Sequence, residues 1–290
     1  MGVLVFSDNP TVQETKLVID ELKVRGIFAG NIAPWDISMP DIHHFDANVT
    51  YAPSNMLNRG STFELIHRMH ILRELEKLGP VVNPVDSLLM YSKENLSVTL
   101  NRMRISHPKT LITENIEEAY NHASKVIDSG GKIVLKPLCK ARGIGVIMLD
   151  RIRSRGDLLQ FLSWYNRAHG EGVFYLQEFI QNRGYDVRCM VIGGEVVGRE
   201  KRSNPNDFRY NVSAGGLAEP FNDPIYDELA IKVAKAVGLK ISGLDILPAY
   251  DGTVYVLEAN AFPGYKALMN VTGIPINKKI ADYLEKLTRK

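Results

Sequence analysis

Near the carboxyl end of the chain stand two acidic residues and an amide whose spacing could hold a cation: Asp245, Glu258 and Asn260. Two strand-like runs, Gly243–Ala249 and Thr253–Ala259, flank Asp251-Gly252, a strong signal for a hairpin with a two-residue loop. Such a loop pairs Tyr250 with Thr253, and therefore Asp245 with Glu258. Strand alternation puts Asn260 on the same face as Glu258. Two carboxylates directly opposed on a sheet repel, by about 4 kcal/mol at roughly 4 Å and an effective dielectric constant near 20. Something positive should neutralise them. Two carboxylates and an amide oxygen suit a hard cation such as Mg²⁺, which takes few protein ligands and completes its shell with water and phosphate oxygens. A solvated acidic face is the plainer reading. The apolar strand neighbours Leu244, Ile246, Val256 and Leu257 argue against it.

Basic residues upstream suggest what the cation would neutralise. Lys136 ends the apolar run Ile133-Val134-Leu135, an expensive place for a charge unless it meets an anion. Lys140-Ala141-Arg142-Gly143-Ile144-Gly145 follows, and its glycines let backbone N–H groups approach phosphate oxygens. It is not a Walker loop, because no Gly-Lys-Ser/Thr ending occurs, and no helix follows as a dinucleotide fingerprint requires. A second hairpin turns at Gly193-Gly194. A two-residue loop there sets Asp186 opposite Lys201, and Arg188 opposite Arg199. An arginine pair across a strand calls for an anion. With Arg202 and Arg209 following, this hairpin reads as a wall for polyphosphate or acyl phosphate, against the plainer reading of a solvated basic edge.

The elements that must position these residues read as three lobes: 1–86, 87–170 and 171–290. The first opens with a strand, Val3–Phe6, and a helix, Thr11–Arg25, that stops at Gly26. The second holds helices over Ser92–Met103 and Ile116–Asp128, strands over Lys132–Leu138 and Val146–Leu149, and a closing helix, Asp157–Arg167. The third holds a strand, Val173–Ile180, the two hairpins, a helix over Asp227–Val237 and an amphipathic helix, Asn277–Lys290. The 290 residues exceed one ordinary domain. Thirty-five basic against 33 acidic residues are too balanced to imply a nucleic-acid partner. No apolar run approaches the roughly 20 residues of a membrane helix. Two cysteines are too few for a disulfide framework or a zinc site, so a reducing cytoplasm is expected.

In this arrangement the sequence resembles the ATP-grasp superfamily, and within it the RimK-type amino-acid ligases. The matching blocks, in order, are Ser92-Lys93-Glu94-Asn95-Leu96, Ile133–Pro137, Gln177-Glu178-Phe179-Ile180 and Asp186-Val187-Arg188-Cys189. Then come Asp207-Phe208-Arg209-Tyr210-Asn211, Gly243-Leu244-Asp245-Ile246 and Leu257–Gly264. The resemblance implies an α/β chain with α+β lobes, in which an N-terminal α/β lobe precedes two lobes that clasp ATP between antiparallel sheets. It implies that Lys93 and Lys136 hold phosphates, together with the turn of Lys140 and Gly143. Gln177, Glu178, Phe179 and Ile180 would form the nucleotide hinge, with Glu178 and Phe179 on the adenine side. Asp186 would meet the ribose, and Lys201, Arg209, Tyr210 and Asn211 would join the nucleotide set. Arg202 and Arg209 would stabilise the anionic intermediate, and Asp245, Glu258 and Asn260 would carry magnesium, or manganese in its place, as two ions.

The implied reaction is amide formation: ATP phosphorylates a carboxylate and an amine attacks the acyl phosphate, so the chain is expected to be an ADP-forming ligase. Two positions depart from the family pattern. Ser92 stands where an aspartate is usual, and Cys139–Arg142 is bulky and basic where small residues are usual. The closing run Phe262–Leu268 is similar to members that add L-glutamate to a carboxylate-bearing cofactor such as tetrahydromethanopterin or the deazaflavin coenzyme. Alternatives are a lysine- or arginine-biosynthetic ligase acting on a small acidic carrier protein, a ribosomal-protein glutamate ligase, and a nucleotide-binding regulator without turnover. By analogy with relatives, a homodimer or homotetramer is expected.

Overall fold

The computed structural model describes residues 2–9, 11–39, 48–53, 61–90, 92–138, 143–151, 154–169 and 172–289. The first part is a parallel sheet. Strands β1 (Gly2–Phe6), β2 (Phe28–Ile32), β3 (Val49–Tyr51) and β4 (Val81–Val82) lie in the order β2-β1-β3-β4. Helices α1 (Gln13–Val24) and α2 (Thr62–Leu78) connect them. A capping box starts α2: the Glu64 amide donates to the Ser61 hydroxyl, and the Ser61 amide donates to the Glu64 carboxylate. α1 ends before Gly26, whose φ of +72° only glycine adopts cheaply. After the short α3 (Val85–Leu89), helix α4 (Lys93–Arg102) begins at Ser92, whose hydroxyl accepts from the Asn95 amide at 3.0 Å. The serine that departs from the family's aspartate is thus a helix cap.

A second, antiparallel sheet follows. It is built from β5 (Thr110–Thr113), β6 (Ile133–Lys136), β7 (Ile147–Leu149) and β8 (Phe174–Glu178) in the order β5-β8-β6-β7. Helices α5 (Ile116–Asp128) and α6 (Arg155–His169) cover one face. Here the structure corrects the reading of residues 173–180. That strand closes the central sheet and does not open the C-terminal one, because Phe174 and Leu176 bury among Ile133, Leu135, Ala119 and Leu162. β5, which the sequence reading passes over, is its outer neighbour.

The third sheet has five strands, in the order β11-β10-β9-β12-β13: β9 (Tyr185–Ile192), β10 (Glu195–Ser203), β11 (Leu217–Pro220), β12 (Ile241–Pro248) and β13 (Val254–Asn260). Helix α7 (Asp227–Ala236) covers one face. Helices α8 (Lys266–Thr272) and α9 (Ile276–Thr288) pack on the other. β12 is buried along its whole length, as a central strand covered on both sides must be.

The hydrophobic groups form two bodies rather than three. Alternation along β1 sends Leu4 and Phe6 into one cluster and Val3 and Val5 into another. The first cluster runs on to Val187, Cys189 and Leu244, the second to Met190, Ile241 and Ile280. The N-terminal and C-terminal sheets therefore share their cores, and the central sheet keeps its own. Asn83 sits at the joint. Its side-chain amide donates to the carbonyls of Ile241 (2.8 Å) and Ala261 (3.0 Å) and accepts from the amides of Lys240 (2.7 Å) and Ile241 (2.8 Å).

Candidate active site

Between the central and C-terminal sheets lies a cleft of about 900 Å³, its open mouth included. It is large enough for a nucleotide-sized ligand. The ends of β6, β8, β9, β12 and β13 converge on it, with the 208–211 loop as its outer wall.

The two hairpins that aim side chains at the cleft are both irregular. The β12–β13 loop holds three residues, not two: the Ala249 amide donates to the Thr253 carbonyl, and Gly252 takes a φ of +85°. Ile246 consequently faces Val256. A bulge at Leu257 then adds a second extra residue, and Asp245 lies opposite Glu258 after all, with Gly243 opposite Asn260. The expected pairing holds because two one-residue departures cancel.

At Gly193-Gly194 nothing cancels. Val196 pairs with Val191 as expected, but Gly198 pairs with Met190, so Val197 is an extra residue. Beyond it Arg202, not Lys201, opposes Asp186, and Glu200, not Arg199, opposes Arg188. Lys201 is thereby turned to the other face, where its ammonium meets Glu219 and the Tyr185 ring, away from the cleft lining. The expected arginine pair does not exist. Each of these arginines meets an acid: Arg199 meets Asp227, Arg188 meets Asp245 and Arg202 meets Asp186.

The corrected register produces a row of charges directly opposed across four strands: Glu200, Arg188, Asp245, Glu258. The Arg188 guanidinium donates to both Asp245 oxygens, at 2.7 and 2.8 Å. Arg202, 2% exposed, lies beneath the cleft and not on its surface. It donates to both oxygens of Asp186 (2.8 and 2.6 Å) and pairs with Asp245 at 2.9 Å. Burial alone would raise the Asp245 carboxyl, but Arg188 and Arg202 outweigh it and hold the group at about 2. The positive neighbour that the Asp245–Glu258 pair demands is therefore partly supplied by the protein.

Glu258 is different. It lines the cleft half-buried, and its carboxylate accepts no hydrogen bond among the described residues. The Asn260 side-chain oxygen accepts from the Phe262 amide at 2.9 Å. Asp245 Oδ1 takes one bond, from Arg188, and a carboxylate oxygen has room for more. An open carboxylate beside an ionised one, with an amide oxygen on the same strand face, is a hard-oxygen donor set that fits Mg²⁺.

On the other side of the cleft, the Lys136 ammonium donates to the Gln177 side-chain oxygen at 2.6 Å. Gln177 in turn donates to Thr110 (3.1 Å) and Tyr175 (3.2 Å), and Tyr175 shares a 2.8 Å hydrogen bond with Ser97. Gln177, expected to meet the nucleotide, is largely buried, lines the cleft and braces Lys136. Burial lowers the Lys136 ammonium to about 8, with Glu258 acting in the opposite sense and the Lys93 charge reinforcing it. Lys93, at the start of α4, donates to the Leu138 carbonyl at 3.2 Å.

Glu178, Phe179 and Ile180 form the hinge side of the lining, with the Phe208 ring edge-on to Phe179 at 6.4 Å. Arg209 and Gly143 meet across the cleft, where the guanidinium donates to the Gly143 carbonyl at 3.0 Å and is braced by Asp207. Tyr210, whose hydroxyl donates to Asn182 at 2.6 Å, and Asn211 complete the wall. Asp186 lines the cleft too, with both oxygens engaged by Arg202. Lys140, with the rest of Cys139–Arg142, lies outside the described residues.

Sequence reasoning misses Phe208, Asn182 and the roles of Arg188 and Glu200. Phe208 stands inside a quoted block. The other three depend on the bulge or on a loop without pattern.

Two lobes that clasp such a cleft between antiparallel sheets define the ATP-grasp fold. The RimK-like ATP-grasp domain profile matches residues 92–284, and the chain belongs to that family. The tetrahydromethanopterin:alpha-L-glutamate ligase of Methanococcus maripaludis is 32% identical, over 93% of this chain and 94% of its own length. Among solved structures, the RimK domain ATP-grasp protein of Sphaerobacter thermophilus has a TM-score of 0.72 at 22% identity, covering 98% of this chain and 99% of that one. The ATP-grasp ligase PsnB, solved with a phosphomimetic precursor variant, Mg and ADP, scores 0.71 at 20% identity over 99% and 98%. At such identities both likenesses speak for the fold alone. Family membership makes this chain an ADP-forming ATP-grasp ligase.

Proposed function

We propose that this ligase joins the amino group of L-glutamate in α linkage to a carboxylate of a small-molecule cofactor of the tetrahydromethanopterin or deazaflavin class. The observation that carries the ligase chemistry is the open Glu258 carboxylate beside the arginine-held Asp245, facing Lys136 across the cleft. The M. maripaludis relative, named for tetrahydromethanopterin and L-glutamate, supports the choice of substrates. The described residues contain no helix long and apolar enough to cross a membrane, which is compatible with a cytoplasmic cofactor as substrate.

In this reading Lys93 and Lys136 bind the ATP phosphates, and Gln177 fixes the Lys136 ammonium on its target. Phe179 and Phe208 offer apolar surface to the adenine. The acceptor carboxylate attacks the γ-phosphorus, ADP leaves, and the amine nitrogen then bonds to the acyl carbon as phosphate departs and the nitrogen loses a proton. Arg209 lies where it can neutralise the anionic intermediate. Arg202 and Arg188 act one layer below, fixing the Asp186 and Asp245 carboxylates. Asp245, Glu258 and Asn260 would hold Mg²⁺, which supplies charge neutralisation at the transferring phosphoryl group.

The carrier-protein alternative loses its basis, because the basic hairpin meant to dock an acidic partner is internally paired. Incubation with ATP, Mg²⁺, L-glutamate and a panel of cofactors, peptides and carrier proteins tests the proposal. A mass gain of one glutamyl residue on a pterin or deazaflavin cofactor, with stoichiometric ADP, is expected. Modification of a protein or peptide alone would overturn it.

A further inference from the structure

A second cavity, of about 860 Å³ with its mouth included, lies on the same face of the C-terminal sheet, beyond Asn260. Its floor is the carboxyl ends of β1, β3 and β4. β1 and β3 are adjacent, and the chain leaves them in opposite directions across the sheet, which is where open α/β sheets leave a ligand crevice. Its roof is the 261–265 segment.

The chemistry of the lining is one-sided. Among the described residues Asp8 and Glu14 line it and no lysine or arginine does, and neither carboxylate has an ion-pair partner there. Tyr51 is 6% exposed, yet its hydroxyl makes no hydrogen bond among the described residues. Burial, and then the nearby Glu14 charge, push that hydroxyl far up from its ordinary value and keep it a proton carrier. The Tyr265 hydroxyl donates to the Glu14 carbonyl at 2.7 Å, which fixes the start of α1 against the roof. A Cβ on Gly264 would stand 3.9 Å from Glu14 Oε1, so the carboxylate lies at the roof's edge. Met190, Ile241 and Phe262 add apolar surface, and Asn9, Thr15 and Asn83 add neutral polar groups.

The cavity is one residue away from the charged row. A Cβ at Gly243 would meet Pro263 at 3.0 Å on the cavity side and Arg188 at 3.4 Å on the cleft side. The Phe262 amide that bonds Asn260 belongs to the cavity wall. An anionic, partly apolar pocket with an unused hydroxyl favours an ammonium group.

We propose that this cavity binds the ammonium end of the amine substrate, through Glu14, Asp8 and the Tyr51 hydroxyl, and holds it beside the carboxyl activated in the cleft. This rests on the amide-forming reading above and does not require that the amine be glutamate.

The test uses the full chain and amine-dependent ADP release with L-glutamate and the other nineteen amino acids as probes. For whichever amine drives turnover, Glu14→Gln should raise its KM at least tenfold and leave the KM for ATP within twofold. Tyr51→Phe, which removes one oxygen only, should raise the same KM severalfold. If that amine is L-glutamate, inhibition by glutarate, which lacks the amine, should stay as in the wild type. For any other amine, its deaminated analogue serves as the inhibitor. An unchanged amine KM in both variants overturns the site. An equal shift for the amine and its deaminated analogue also overturns it, as it would mark a general distortion. No amine-dependent ADP release from the wild type would overturn the amide-forming reading, and the site with it.

Discussion

Lys136 carries the sharpest consequence at the scale of single residues. Its ammonium is lowered to about 8 in the free protein, chiefly by burial. Phosphates placed beside it favour the charged form, so its value rises on binding and nucleotide takes up a proton. The sign follows: affinity is full below pH 8 and falls as pH rises through 8, because the free lysine is then neutral. The Kd of an ATP analogue should weaken up to about tenfold per pH unit above 8. In Lys136→Met the affinity should be lower and that pH dependence absent. The same slope in the variant would remove Lys136 from the phosphate site. Glu258 makes the companion case. Glu258→Gln keeps the shape of the side chain and removes its charge, so the fold should persist by circular dichroism while turnover drops at least 100-fold. Turnover like the wild type's at saturating Mg²⁺ would mean that this carboxylate plays no part in the chemistry.

Among elements, the bulge at Val197 decides which charges meet. Inserting one residue between Gly198 and Arg199 would slide the rest of β10 by one position, setting Arg199 against Arg188 and Lys201 against Asp186. Breaking buried ion pairs costs about 3–5 kcal/mol, so denaturant unfolding should register a loss of at least that size. Val197→Ala keeps the residue count and should cost no more than about 1.5 kcal/mol. Equal losses would mean that register is unimportant here. The same element marks the limit of what a sequence discloses. Caps and stops such as Ser92 and Gly26 are legible because their chemistry is local, and so are the positions of both hairpin turns. Lys136 stands out because a charge that ends an apolar run needs a reason, Glu258 because hairpin register sets it opposite Asp245, and Arg209 because it follows a run of basic residues. The bulge leaves one faint sign, a glycine at 198 inside a strand, and Arg202's retreat beneath the cleft follows from it. The placement of residues 174–178 in the central sheet is hidden too, because packing of Phe174 and Leu176 chooses the partner strands.

The whole molecule turns on the joint between its first and last sheets. Asn83→Ala removes a side chain that makes four hydrogen bonds to the 240–241 and 261 backbone. With each unsatisfied buried group costing roughly 1–3 kcal/mol, the loss should exceed about 3 kcal/mol. Hydrogen exchange should quicken together in β1 and β12 and stay unchanged in β6 and β8, whose core is separate. Faster exchange across all three sheets would contradict the two-body packing. That packing also sets an order of events during synthesis. Val3 and Val5 are finished against Ile276, Ile280 and Leu284, which are synthesised much later. At about 5–20 residues per second, the first strands wait tens of seconds for their partners. The central sheet is complete by residue 178 and can close in the meantime. The central sheet is therefore folded while the N-terminal and C-terminal sheets are still unfinished. The chain's most apolar early segment, Gly2–Phe6, is where a chaperone has both the time and the surface to bind.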